Sequence, residues 1–178
     1  MHCGMNPSSF VAAGSLSVRA ARESDAAAIA RVYNQGIEER SATFETRPRT
    51  EADVLGWFDG KHPVLVVTTS ADEVVAFAAT STYRPRECYD GVAEFSVYVD
   101  RDRRGKGAGR MAMEGLFTAA EAAGYWKLVS RVFLDNAPSR GLLKALGFRE
   151  VGIYEKHARL DGRWRDVVIV ERLLPANL

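Results

Sequence analysis

Cysteine is nearly absent, with only Cys3 and Cys88 in 178 residues. Two thiols build neither a disulfide framework nor a zinc site on their own. Histidine is as sparse. His2, His62 and His157 are scattered, and none has the spacing of a metal ligand pair. No stretch approaches the ~18 consecutive apolar residues of a membrane span. Residues 1–15 lack a basic start followed by an apolar block, so no secretory leader is expected. Neither charge dominates: 24 Lys plus Arg face 23 Asp plus Glu, for a net charge of +1. A dedicated nucleic-acid binder carries a basic excess, which this chain lacks. Internal repeats and low-complexity segments are missing too. What is present is ordinary for a globular chain, 47% hydrophobic and 26% charged. The length suits one domain that buries its own core without staples. The expectation is a cytoplasmic protein without metal, with no nucleic acid and no membrane as partner. It divides into a loose extension over 1–15, one domain over 16–174 and a tail over 175–178.

The apolar residues carry two periods. Ile29, Val32, Tyr33, Gly36 and Ile37 stand at helical spacing, which predicts a helix from an N-cap at Ser24 to about Arg40. Thr50 caps a short second helix through Phe58. Met113, Leu116, Phe117 and Ala120 line one face of a third, which ends near Gly124. Asn136-Ala137-Pro138-Ser139 opens a fourth, which ends at Gly147. Strands are expected at about 16–22, 64–69, 74–82, 92–99, 126–134, 148–160 and 164–173, the last two joined through Asp161-Gly162. Over Val92–Val99 the alternation is clean, with Glu94, Ser96 and Tyr98 on one face and Phe95, Val97 and Val99 on the other. The order β-α-α-β-β-β-α-β-α-β-β predicts an α+β fold. Its centre is a mixed, largely antiparallel twisted sheet of about seven strands, flanked by about four helices.

The most informative stretch is Arg103-Arg104-Gly105-Lys106-Gly107-Ala108-Gly109-Arg110, between a strand and a helix. Glycines there let backbone N–H groups converge, and the helix start adds its positive dipole end. That geometry suits an anion, most often a pyrophosphate. Arg104, Lys106 and Arg110 add side-chain charge for outlying phosphates. A nucleotide-triphosphatase loop needs Ser or Thr after Gly-Lys, but Gly107 follows Lys106. The dinucleotide fingerprint needs Gly-x-Gly-x-x-Gly, and the spacing Gly105, Gly107, Gly109 is wrong for it. A glycine turn with no ligand is the bland alternative.

The third pattern, Arg/Gln-x-x-Gly-x-Gly/Ala, matches Arg104 to Gly109, and here the chain resembles the GCN5-related N-acetyltransferase (GNAT) superfamily. Asn136, Ser139 and Gly147-Phe148 match the next helix of that superfamily. The resemblance implies acetyl-CoA as co-substrate, with its pyrophosphate on Gly105, Lys106, Gly107, Ala108, Gly109 and the basic side chains. Asn136 and Ser139 would lie beside the pantetheine. Asn136 also reads as a plain helix cap. The pantetheine amides would add to the backbone of Val97, Tyr98 and Val99 as an extra strand.

A narrower resemblance runs through Tyr33-Asn34, Thr43-Phe44, Tyr89-Asp90, Glu94 to Val99, Asn136 to Arg140 and Gly162 to Val167. These residues resemble the phosphinothricin, methionine sulfoximine and arsinothricin N-acetyltransferases. The implied reaction is acetylation of the α-amine of a small toxic amino acid. Glu94 would be the general base, directly or through one water; a solvated strand carboxylate is its other reading. Arg84 and Arg86 would hold carboxylate or phosphinate-like oxygens. Phe44, Tyr89 and Tyr154 would wall the substrate, although aromatics are more often core. The superfamily's usual acid, a tyrosine, is replaced by Leu143. A homodimer is implied. Two rivals stand beside this reading: acetylation of a peptide N-terminus or a polyamine, and a non-catalytic acetyl-CoA sensor.

Overall fold

The apolar runs Val64–Val67 and Val74–Ala79 are covered on both faces and form the sheet interior. The computed structural model describes residues 15–178, so the expected extension lies outside the described residues except for Ser15. Strand β2 (Val64–Thr68) is buried throughout, and β3 (Val74–Thr82) is buried up to Thr80. Around them run β1 (Ser17–Ala20), β4 (Val92–Val99), β5 (Lys127–Phe133), β6 (Arg149–Leu160) and β7 (Arg163–Leu173). They form one sheet in the order β1-β2-β3-β4-β5-β7-β6. Every neighbouring pair is antiparallel except β4 with β5, which is parallel. The α+β class and the seven strands are as expected, and the helices among the described residues are the four predicted ones.

The helices cover the two faces unequally. Helix α1 (Ala26–Glu39) and the short α2 (Glu51–Leu55) pack with Val64, Val66, Phe77 and the ring of Tyr98. Helix α3 (Ala108–Ala122) presses Met113, Leu116, Phe117 and Ala120 onto the opposite face, with Leu65, Val67, Phe95 and Leu128. Helix α4 (Ala137–Ala145) adds Leu143 to that second core. The faces predicted for β4 are the observed ones: Phe95, Val97 and Val99 meet the α3 core, and Tyr98 meets the α1 core.

One expectation needs correction. Ser24 does not cap α1. A single 3-10 turn, Glu23–Asp25, precedes the helix, and buried Asp25 occupies the cap position. The reason is electrostatic: Arg19 grips the Asp25 carboxylate with two donors at 2.7 and 3.0 Å, and the Arg22 N–H adds a third at 2.7 Å. Those bonds from Arg19, working against burial, hold the Asp25 carboxyl below its ordinary range. Pro175–Asn177 forms a 3-10 turn, and the Asn177 amide donates to the carbonyls of Glu121 and Tyr125 at 2.8 and 2.9 Å.

Candidate active site

Strand β4 pairs with β3 over its length, from Ala93 opposite Thr82 to Val99 opposite Ala76. Toward β5 it pairs only through Val92, Ala93 and Glu94. Past that point the two strands part, and β5 continues its ladder with β7 through Phe133. The β5-facing edge of Phe95–Val99 therefore has no strand partner, and backbone polar groups in an apolar setting require one. A cleft of about 750 Å³ opens along this edge. Strand β4 forms one wall and Ser130–Val132 of β5 the other; the starts of α3 and α4 close one end.

The glycine loop forms that end. Gly105 and Gly107 take left-handed φ of 73° and 85°, which glycine adopts without strain. Gly107 is the N-cap of α3 and offers no side-chain oxygen, so the first N–H groups of the helix lack an intrahelical acceptor. Together with the helix dipole they make a site for an anion. A Cβ on Gly109 would stand 3.2 Å from both Leu142 and Val99, so glycine lets α3 approach β4 and α4 closely. Arg104, Gly105, Gly107, Ala108, Gly109 and Arg110 all border the cleft. Lys106 does not; its ammonium lies 3.5 Å from the Asp102 carbonyl. Arg104 spans to Glu39 at 2.9 Å and donates to the Val99 carbonyl at 3.3 Å.

Asp100 anchors this loop. It is 7% exposed and accepts from Arg31, from Gln35 at 3.2 Å and from the Asp102 N–H at 3.1 Å. Burial opposes its charge, but the bonds from Arg31, Asp102 and Gln35 hold its carboxyl below the ordinary range. Gln35 also accepts from the Arg101 N–H at 2.9 Å, so α1 fixes where the loop begins.

Asn136 and Ser139 border the cleft. The Asn136 oxygen accepts from the Ser139 N–H at 3.1 Å, so the cap reading holds, and its amide donates to the Ser41 carbonyl at 3.1 Å. Val97, Tyr98 and Val99 lie on the open edge. The Tyr98 ring turns away from it, packing 4.7 Å from Tyr33 and 5.5 Å from Phe77 between centroids. A Cβ on Gly36 would fall 2.6 Å from that ring, which accounts for a glycine inside α1. Burial and the neighbouring Tyr33 push the Tyr98 hydroxyl well above its ordinary value, so it stays neutral.

Glu94 stands at the fork, the last β4 residue paired with β5. Its carboxylate accepts from the Arg131 guanidinium. Arg131 itself borders the cleft. The residues expected to wall the substrate do not. Phe44 packs 4.8 Å from Phe133 in a small core with Leu160 and Val167, because an aromatic ring gains most where it is buried. Arg84 lies 5.3 Å over the Tyr83 ring, and Tyr89 meets that ring edge-on at 5.5 Å. Arg86 is exposed in the same loop, and Tyr154 stands exposed on β6, 5.2 Å from His157. Tyr89 and Tyr154 both lie within electrostatic range of Arg84, so these three share one neighbourhood outside the cleft walls. Leu143 is 2% exposed and borders the cleft as an apolar surface.

The sequence reading missed Arg131, Glu39 and Asp100. Arg131 did carry a signal, as a charged residue in the middle of the strand Lys127–Phe133.

The profile of the Acetyltransferase (GNAT) family matches residues 29–148. The chain belongs to this family. It is 34% identical over 161 residues to the L-methionine sulfoximine/L-methionine sulfone acetyltransferase of Pseudomonas paraeruginosa, covering 88% of this chain and 94% of that protein. It is 31% identical to the phosphinothricin N-acetyltransferase of Streptomyces coelicolor, covering 88% of this chain and 95% of the other. Among solved structures, a GNAT superfamily phosphinothricin acetyltransferase from Sinorhizobium meliloti in complex with AcCoA superposes with a TM-score of 0.83. It is 27% identical, with 89% of this chain and 88% of that one covered. This GNAT enzyme is therefore an acetyltransferase, and its parted strands and glycine loop are the features to test against an acyl carrier.

Proposed function

We propose that this enzyme moves an acetyl group from acetyl-CoA to the α-amine of a small toxic amino acid of the methionine sulfoximine, phosphinothricin or arsinothricin type, and so detoxifies it. The observation that carries the reading is the fork of β4 and β5, which has the glycine loop at its far end and Glu94 at its root. A strand edge without a partner accepts an extended, amide-bearing chain as an added strand. The loop N–H groups take a diphosphate. The residues present thus fit acetyl-CoA, which supplies an acetyl group activated as a thioester.

The chain's own residues do the rest. Glu94 takes a proton from the substrate ammonium, directly or through a water, and the freed amine attacks the thioester carbonyl. Main-chain N–H groups of the open β4 edge donate to the oxygen that gains charge in that attack. With Leu143 in place of a hydroxyl, the carbon–sulfur bond breaks to release thiolate, which a pKa near ~8.5 allows, and the second amine proton passes to solvent. Asn136 and Ser139 flank the amide-bearing arm, and Arg110 and Arg104 attract phosphate. Arg84, Tyr89 and Tyr154 form an outer rim.

We also assign residues 16–174 to one domain, the enzyme to the cytoplasm, and its assembly to a homodimer. Supporting the dimer is the outermost hairpin, where Val151, Ile153, Tyr154 and Trp164 expose about half of their surface. Among the described residues no three His, Cys, Asp or Glu side chains converge on a metal position, and no helix is long and apolar enough to cross a membrane.

The test is a thiol-release assay with acetyl-CoA and a panel of methionine sulfoximine, phosphinothricin, common amino acids, a peptide and a polyamine. The highest kcat/KM is expected on the first two. Preference for the peptide or the polyamine, or no turnover at all, overturns the reading.

A further inference from the structure

Arg131 is a cation set into the wall of a cleft that is otherwise mostly neutral. The other cations bordering that cleft, Arg104 and Arg110, stand at its glycine-loop end, paired with Glu39 at 2.9 Å and with Glu114 at 3.4 Å, and Asp135 pairs with Arg165 at 2.7 Å. The carboxylate partner of Arg131 among the described residues is Glu94, and a single N–H of its guanidinium makes that bond. A guanidinium has five N–H donors in a planar fork, so most of the hydrogen-bonding capacity of Arg131 is unspent. Its side chain is 47% exposed. Arg131 borders the cleft and Glu94 stands beside it at the fork, so one carboxylate and one guanidinium with free donors lie in contact there.

An α-amino acid is the complementary pair. Its ammonium and carboxylate are separated by one carbon, so both can be met at once by a carboxylate and a guanidinium in contact. We propose that Arg131 binds the α-carboxylate of the substrate, while the adjacent Glu94 receives the α-ammonium. The inference rests on the proposed amino-acid acetyltransferase activity and narrows its substrate class to amino acids with a free α-carboxylate. The four charges alternate around the contact, so neither protein charge has to be stripped of its partner when substrate binds. The arrangement also selects. A peptide N-terminus or a polyamine brings an ammonium for Glu94 but no neighbouring carboxylate for Arg131. Arg131 is in this view a specificity-determining residue. It further holds the amine against the group that takes its proton.

The experiment compares L-methionine sulfoximine with its carboxamide, which keeps the amine and side chain and removes the carboxylate charge. Binding of each to the full-length protein saturated with coenzyme A is measured by calorimetry, for wild type, Arg131→Ala and Arg131→Lys. A charge-assisted paired contact is worth about ten- to a hundredfold in affinity, so wild type should favour the acid over the amide by that factor. Arg131→Ala should bring the ratio near one by weakening the acid alone, and Arg131→Lys should restore part of it. An acid-to-amide ratio in Arg131→Ala equal to that of wild type, or no preference in wild type, overturns the assignment. Calorimetry needs no turnover, so a failure of the activity itself shows separately in the thiol-release assay, and Arg131 is still decided. Thermal melting of the two variants checks that both are folded.

Discussion

The two ends of β4 each carry a carboxylate held by an arginine, and the two pairs do opposite work. At one end Asp100 is 7% exposed, and its oxygens accept from Arg31, Gln35 and the Asp102 N–H. At the other end the Glu94 side chain is 27% exposed and, among the described residues, accepts from Arg131 alone. A buried carboxylate with several fixed donors is bound into the fold, and removing it leaves those donors unmatched. A half-open carboxylate with one partner keeps lone pairs for an incoming proton or ammonium. The same residue chemistry thus gives an anchor at one end of a strand and a reactive group at the other. Donor count and access to solvent make the difference.

The sharpest way to break this comparison is Glu94→Gln. The amide keeps the shape and removes the basicity. A general base contributes about a hundred- to ten-thousandfold, so kcat should fall by that factor. The Kd of acetyl-CoA and the Tm should stay at wild-type values. Steady-state kinetics across pH check it: a variant that turns over at the wild-type rate from acid to alkaline pH removes Glu94 from the chemistry.

Asp100→Asn should do the reverse. It keeps the volume but loses the charge that Arg31 and Gln35 meet. We expect a loss of about 1–3 kcal/mol, which for a chain of this length lowers Tm by roughly 3–10 °C. At the temperatures where the variant is folded, kcat should change little. The pH dependence has a definite sign. The Asp100 carboxyl is held below its ordinary value of 3.8. Its stabilisation is therefore present above that value and is lost as pH falls through the lower folded-state value. The Tm gap between wild type and Asp100→Asn should be full near neutral pH and close on acidification below ~4. A gap that stays constant to low pH would show that shape, not charge, is what Asp100 contributes.

The anchor and the reactive group were not equally legible in the sequence. The elements followed from period: alternation over Val92–Val99 and helical spacing at Met113, Leu116, Phe117 and Ala120 each led to the observed face. The glycine loop was legible because it is continuous in sequence. Asp100 was not, since an Asp after a strand looks like loop until its partners on α1 are known. Arg131 was invisible as a partner of Glu94 for the same reason. Which residues of β4 and β5 face one another depends on where their ladder stops, and no local pattern encodes that point. Phe44 and Lys106 went the other way: their residue types suited the site, but Phe44 is packed against Phe133 and neither residue borders the cleft. Ser24 misled because its capping chemistry was sound, whereas the pull of Arg19 on Asp25 moved the helix start.

The smallest expected effect lies in the loop that Asp100 anchors, and it separates the two ends kinetically. Gly107 has a left-handed φ of 85°, and an added Cβ would meet nothing within 4 Å. Gly107→Ala therefore brings backbone strain without a clash, about 1 kcal/mol. The loop relieves that strain by shifting φ toward ordinary values, which turns the N–H groups at the start of α3 away from the cleft. The amino-acid end is untouched, since Glu94 and Arg131 lie at the other end of β4. The expected signature is a several-fold rise in KM for acetyl-CoA, with KM for the amino acid unchanged and kcat at saturation near wild type. Glu94→Gln predicts the opposite split, a lost kcat with acetyl-CoA affinity intact. If both variants lower kcat and leave acetyl-CoA affinity alone, the glycine loop does not hold the coenzyme, and the division of labour along β4 fails.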